Sequence, residues 1–301
     1  MSVVLLSGGS GGAKLARGLY DVVGDRLTVI ANTGDDIEIY GTHVSPDPDL
    51  ITYWLADRID ERGWGIAGDT FAVMDGLRDQ GVDVWFNLGD RDLAVCIERR
   101  RLLDAGASLT DALGRLGRSL GLGARVLPMS DQSVRTRVRA GGEWTGLQEW
   151  LIRRRAAGPV EDVEFRGAGN ASPTPAVLEA IAGATTIVIG PSNPVISIGP
   201  ILAVPGIREA LLEASAPVVA VSPIVGGRVL KGPTAACLEW AGRTVDAEGI
   251  AACYEGLLDG FVADERLAGL PALETDTLMA DADGRRRLAQ ETLGLARALA
   301  E

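Results

Sequence analysis

An α/β fold, built on a parallel sheet covered on both faces, is predicted by three observations. Short, largely apolar runs without charge recur at Val3–Leu6, Leu27–Ala31, Thr186–Ile189 and Val218–Val221, with the length and composition of strands buried on both sides. Stretches with helical spacing separate these runs, and strands alternating with helices imply parallel pairing through helical crossovers. The first run breaks into Gly8, Gly9, Gly11 and Gly12 before a helical pattern through Leu15, Ala16 and Leu19. That is the strand, tight loop and helix at which such sheets bind ligands.

The glycine loop is the organising element. Its glycines let a ligand approach the main chain, and the free N–H groups of the new helix favour an anion, so a phosphate is the natural occupant. Neither named glycine pattern fits. A dinucleotide fingerprint from Gly9 needs a small residue where Lys14 stands, and a P-loop from Gly8 needs Gly-Lys-Ser/Thr where Ala13-Lys14-Leu15 stands. With no hydroxyl after Lys14, a metal at this site needs carboxylates from elsewhere.

The second strand, Leu27–Ala31, ends in Asn32-Thr-Gly-Asp-Asp36, and Leu50, Ile51, Trp54, Leu55 and Ile59 then recur at helical spacing. Asp47 reads as the N-cap of that helix with Pro48 at its first position, and Asp49 as a first-turn acid. Asp69 opens a helix over Thr70–Gln80, Val82–Leu88 is strand-like, and Gly89-Asp90 leads into a helix over Arg91–Asp104. Arg125–Met129 reads as a short strand, and Val134–Val138 with Gly141-Gly142 as a hairpin into Glu143–Trp150. The triplets Arg99–Arg101 and Arg153–Arg155 read as solvated charges. A helix over Pro175–Ala182, a strand over Thr186–Ile189 and the loop Gly190–Ser197 follow. A helix over Gly206–Ala214 precedes the strand Val218–Val221 and a second proline- and glycine-rich loop. The remainder reads as helix, apart from a short strand pattern near Pro271–Leu278 and a closing helix from Gly284.

Composition narrows the partners. The chain has 301 residues, 47% hydrophobic, enough for a sizeable core. A formal net charge of −12 argues against nucleic-acid or anionic-membrane surfaces, so phosphate binding must be local. Cys96, Cys237 and Cys253 lack metal-type spacing and read as core. The N-terminus has no basic region ahead of its apolar run, which predicts a cytoplasmic protein. Prolines interrupt the uncharged stretch from Gly183 to Ile207, which reads as a buried strand and structured loop, not a membrane span. His43, the lone histidine, sits in a loop with no nucleophile beside it, so triad chemistry has little support. A phosphate loop with several aspartates suits Mg²⁺-assisted phosphoryl transfer better than hydride transfer.

Nine blocks then carry a family resemblance across essentially the whole chain: Gly8–Lys14, Asn32–Asp36, Pro46–Asp49, Gly68–Thr70, Trp85–Ala94, Leu127–Asp131, Pro191–Pro194, Ser197–Leu202 and Val221–Gly227. Together they resemble the 2-phospho-L-lactate transferase family of coenzyme F-420 biosynthesis. In that family the terminal ribityl hydroxyl of the deazaflavin Fo attacks a GDP-activated three-carbon acid, releasing GMP, with Mg²⁺ required. Asp47-Pro-Asp-Leu50 departs from the family's usual pattern, in which a threonine follows the second acid, so a hydroxyl beside Asp49 is lost.

The resemblance implies a Rossmann-like core from about 1–40 and 170–301, with an inserted mixed α/β region at about 41–169 in one 301-residue unit, and a homodimer. It implies a nucleotide site at Gly9, Ser10, Gly11, Gly12, Lys14, Ser192, Asn193 and Pro194. It also implies a deazaflavin pocket from Asp69, Thr70, Trp85, Gly89, Asp90, Arg91 and Met129. Asp35 and Asp49 are the expected catalytic acids and Mg²⁺ ligands. A rival expectation is a regulatory protein of the same superfamily that binds nucleotide or nucleotide-sugar; the Trp85–Ala94 block favours the transferase. The donor acid, lactyl, enolpyruvyl or glyceryl, is left open.

Overall fold

The computed structural model describes residues 2–301. Seven strands form the main sheet: β1 Val3–Ser7, β2 Leu27–Ala31, β3 Arg125–Pro128, β4 Thr186–Ile189, β5 Val218–Val221, β6 Gly260–Ala263 and β7 Ala272–Glu274. Their spatial order is β7-β6-β5-β4-β1-β2-β3, with every pair parallel. The order reverses direction between β1 and β4, the Rossmann-type switch point.

Strand alternation explains the two cores. Val4 and Leu6 of β1, with Ile187 and Ile189 of β4, pack on the helices Pro175–Ala182 and Ile207–Glu213. Val3 and Leu5 face the other way, with Val188, onto helix α1 (Gly9–Val23) and the closing helix Ala282–Ala300. Every residue of β1, β2, β4, β5 and β6 is buried, as a sheet sandwiched between helices requires.

The segment between β2 and β4 carries an antiparallel hairpin, Ile37–Ile39 with Thr42–Val44, and helix α2 (Pro46–Leu55). It also carries helix α3 (Ala72–Asp79), helix α4 (Asp90–Asp104) and a three-stranded antiparallel sheet around Arg135–Ala140. The stretch read as an insertion therefore also supplies β3, the edge strand of the main sheet.

Several local expectations change. Val82–Leu88 forms no strand: its first two residues are exposed and it pairs with no neighbouring strand. Gly260–Ala263, read as part of a helical remainder, is instead β6, buried between β5 and β7. Four apolar residues cannot be told from a helix segment by periodicity alone. The acids at helix starts are exchanged as well. Asp90 accepts from the N–H groups of Ala72 and Val73 at the start of α3, and Asp69 accepts from Arg91 and Asp92 at the start of α4. Each acid caps the other's helix.

Candidate functional site

Past the carboxyl ends of β1 and β4 lies a cavity of about 910 Å³, within the range of small-molecule and cofactor sites. Its floor is the start of α1. The glycines expected to form a loop are largely the first turn of that helix, which begins at Gly9 with φ +66°. Gly9, Ser10, Gly11 and Lys14 line the cavity, as do Ser192 and Asn193 from the loop after β4. Beyond Gly9, the first-turn N–H groups have no intrahelical carbonyl to reach, which leaves an anion site.

At two of the glycines the packing leaves no room for a side chain. A Cβ on Gly11 would collide with the carbonyl oxygen of Pro191, and one on Gly12 would lie 2.6 Å from Ser192 Oγ. Ser192 Oγ accepts from the Gly8 N–H at 3.3 Å, joining the two loops. Asn193 Oδ1 accepts from Val195 and Ile196 N–H and so caps the turn that follows, while Pro194 is buried and does not line the cavity. Lys14 is half-buried, and desolvation, then the nearby charges of Arg285 and Lys231, lower its pKa.

The acids stand beside the start of α1. Asp47 does not cap α2; Ser45 is the residue before that helix and Pro46 its first position. The Asp47 carboxylate instead accepts the Gly9 N–H at 2.6 Å and the Asn32 amide at 2.9 Å, tying α2 to α1 and to the end of β2. Burial pushes Asp47 up to about 6. Asp35 is raised well above the carboxylate range by burial, then by Asp47 and Asp36. One Asp35 oxygen accepts from Gln148 at 2.9 Å, and the other is buried with no partner. Asp36 is held by His43 Nε2 at 3.0 Å and by the Ser45 hydroxyl at 2.8 Å.

Asp49 sits differently from the expectation. Its two oxygens are taken by Arg99, which is fully buried and not the solvated charge its triplet suggested. Arg99 also donates to the His43 carbonyl at 3.0 Å. Burial pushes Asp49 upward and the guanidinium opposes it. Asp35 and Asp47 are thus left freer to hold a cation than Asp49, whose oxygens Arg99 occupies. The Asp47 charge raises Asp35, one Asp35 oxygen is buried without a partner, and no basic side chain is bonded to either acid.

The cavity also has aromatic and apolar walls, with Trp64, Trp85, Phe86, Leu147, Leu151 and Ile152 lining it. Trp85 is half-buried, meets Phe86 edge-on at 5.8 Å and lies under Arg153. Of the other residues expected around a deazaflavin, Met129 is fully buried in the core beneath the sheet. Asp69, Thr70, Gly89, Asp90 and Arg91 are not cavity-lining; they form the exchanged caps, in which Thr70 also donates to Asp90. Helix capping, the plainer role for these acids, is the one the structure shows. Sequence reading overlooked Trp64, whose ring stacks with the Arg62 guanidinium at 4.5 Å, and the buried pair Tyr53 and Asp92. The Tyr53 to Asp49 interval of one helical turn was the available signal for the latter.

Among the described residues no single helix is long and apolar enough to cross a membrane. Solved structures of similar fold include a Bacillus halodurans protein of the UPF0052 family, at TM-score 0.65 and 18% identity over 97% of this chain and 98% of that one. The chain is 43% identical over 314 aligned positions to a phosphoenolpyruvate transferase of Kitasatospora aureofaciens, covering 98% of each. It is 39% identical to a 2-phospho-L-lactate transferase of Methanosarcina mazei, over 96% of this chain and 98% of the relative. A family model, "2-phospho-L-lactate transferase CofD", matches residues 3–290, and with this fold and these relatives the chain belongs to the CofD family.

Proposed function

We propose that the protein transfers a phospho-three-carbon-acid group from a GDP-activated donor to the ribityl hydroxyl of Fo, releasing GMP. The observation that carries this reading is a single cavity joining an anion-binding helix start, a buried carboxylate pair and an aromatic slot. A donor diphosphate suits the N–H groups of Ser10 and Gly11, with Lys14 beside it. A flat deazaflavin suits the end walled by Trp64, Trp85 and Phe86.

Phosphoryl transfer to an alcohol needs in-line positioning and charge neutralisation more than a covalent enzyme intermediate. Asp35 and Asp47 would hold Mg²⁺, which neutralises developing charge on phosphate oxygens when bound. Asn32 and the Gly9 N–H fix the Asp47 carboxylate, and Gln148 fixes that of Asp35. His43 and Ser45 hold Asp36 out of the cavity, so the acid beside Asp35 does not compete for the ligand. The cytoplasmic setting and the homodimer implied by the resemblance belong to the same proposal.

The test supplies purified protein with Mg²⁺, Fo and each of the lactyl-, enolpyruvyl- and glyceryl-phospho donors linked to guanosine. GMP release matched by a phosphodiester of Fo in the mass spectrum is the expected result. Nucleotide binding without transfer to Fo from any donor would overturn it in favour of a regulatory binding protein.

A further inference from the structure

Asp92 stands in the first turn of α4, buried, with its Oδ1 accepting the Tyr53 hydroxyl at 2.7 Å. Both residues line the cavity. The second oxygen, Oδ2, makes no hydrogen bond to the protein and lies 3.8 Å from where a Cβ would stand on Gly65, itself a cavity residue. No basic side chain is bonded to Asp92, in contrast to Asp49. Along one face of α4, Asp92, Cys96 and Arg99 meet Asp49 and Tyr53 of α2, so the Asp92 carboxylate is fixed from behind and open in front.

Its place in the cavity matters as much as its contacts. Asp35 and Asp47 flank the helix start that suits a diphosphate, whereas Asp92 adjoins Gly65 and Trp64 on the aromatic side. A hydroxyl carried on a flat ring system and directed at a phosphate must pass between those two ends.

Resting on the transfer reaction proposed above, we infer that Asp92 is the general base that takes the proton from the acceptor hydroxyl, with Tyr53 as its positioning residue. In the step, the acceptor O–H proton passes to Asp92 Oδ2 while the hydroxyl oxygen forms a bond to the donor's acid-bearing phosphorus. The bond from that phosphorus to the bridging oxygen breaks, and the electron pair leaves with the nucleoside monophosphate. The proton on Asp92 is then returned to water. The Tyr53 hydroxyl holds Oδ1 and leaves Oδ2 as the acceptor. Burial, followed by the Asp49 charge, pushes Asp92 up to about 7, a basicity suited to accepting a proton near neutral pH.

The test is the pH profile of single-turnover transfer by the wild type, Asp92→Asn and Tyr53→Phe, alongside Fo affinity from its fluorescence. In the wild type the rate should rise with pH on a limb centred near 7, the value for Asp92. Asp92→Asn should lose that limb and fall about 10²–10⁴-fold in rate, the usual contribution of a positioned base, with Fo affinity preserved. Tyr53→Phe should move the limb up by roughly one pH unit, since a lost donor no longer favours the charged form, and should lower the plateau rate as the carboxylate loses the bond that holds Oδ1. Asp92→Gly should recover activity on addition of formate, which a merely structural carboxylate does not explain. An active wild type with an unchanged limb in Tyr53→Phe, or Asp92→Asn within threefold of wild type, overturns the base and leaves the reaction standing. A wild type inactive with all three donors overturns the reaction, and the base with it.

Discussion

Replacing Arg99 by methionine separates the two roles open to Asp49. Methionine retains the length of the arginine stem, so packing changes little, but both Asp49 oxygens and the His43 carbonyl lose their donor. Removing one partner of a buried ion pair costs about 3–5 kcal/mol. Arg99 Nε is buried without a partner, and its removal offsets roughly 1 kcal/mol. A net loss of about 3 kcal/mol is expected at pH 8. The loss must depend on pH. Without the guanidinium, only influences that raise the Asp49 pKa and weaker local hydrogen bonds remain. A carboxyl raised in the folded state binds protons more tightly there than in the unfolded chain. Its protonated form stabilises the fold at low pH, and that contribution disappears as pH rises through the folded pKa, by up to about 1.4 kcal/mol per unit. Urea unfolding of Arg99→Met against wild type at pH 5 and pH 8 should therefore show a distinctly smaller deficit at pH 5. Adding Asp49→Asn should recover part of the deficit at pH 8. A deficit that is flat with pH, or below about 1 kcal/mol, would refute a buried ion pair. A large loss of Mg²⁺ affinity in the folded variant would return Asp49 to the metal.

Asp35→Asn and Asp47→Asn should each cut turnover by about a hundredfold or more, as expected for loss of a metal clamp, and should weaken the Mg²⁺-dependent rise in melting temperature; near-normal values in both would move the metal elsewhere. In chelator, wild-type stability should fall between pH 5 and pH 8, because Asp47 at about 6 and Asp92 at about 7 are raised acids whose stabilising protonated forms are lost as pH rises. Added Mg²⁺ should reduce the fall, read by thermal unfolding. Gly11→Ala should drive a wedge between α1 and the Pro191 carbonyl, costing about 1–3 kcal/mol and weakening GDP at least tenfold by calorimetry, with Fo binding kept. Trp85→Leu should weaken Fo by about 0.5–1.5 kcal/mol, a factor of roughly two to ten, with a smaller change for the donor; a large stability loss with unchanged Fo affinity would make Trp85 ordinary core.

The layers of the fold were legible because buried parallel strands announce themselves as uninterrupted apolar runs. Thr186–Ile189 and Val218–Val221 match the structure residue for residue. Gly260–Ala263 was not legible, since a four-residue strand with an i, i+4 apolar partner has no period of its own. In the cavity, the glycine turn, Asp35 and Ser192 could be found from strand-end position and motif. The roles of Asp47 and Asp49 could not be apportioned, because the deciding partners, Asn32 in one case and Arg99 in the other, come together only in three dimensions. Arg99 was hidden by its neighbours: a half-buried and an exposed arginine follow it in sequence, and only helical phase places the first of the triplet inward. Tyr53 and Asp92 lie 39 positions apart on separate helices, so nothing local joins them.

The exchanged caps give the cavity's aromatic lip a mechanical property. Asp69 and Asp90 each lie in the stretch leading into one helix and bind the amides that begin the other. Neither helix can fray from its start without releasing both. Opening of the Ala72, Val73, Arg91 and Asp92 amides is then a single cooperative event, with matching hydrogen-exchange free energies, in place of four independent ones. Trp64 rides on the same unit through its stacking with Phe71, the residue just before Ala72. The Trp64 ring and the Asp92 carboxylate, both of which line the cavity, should therefore open as one unit, and displacing either should be felt as exchange at the other.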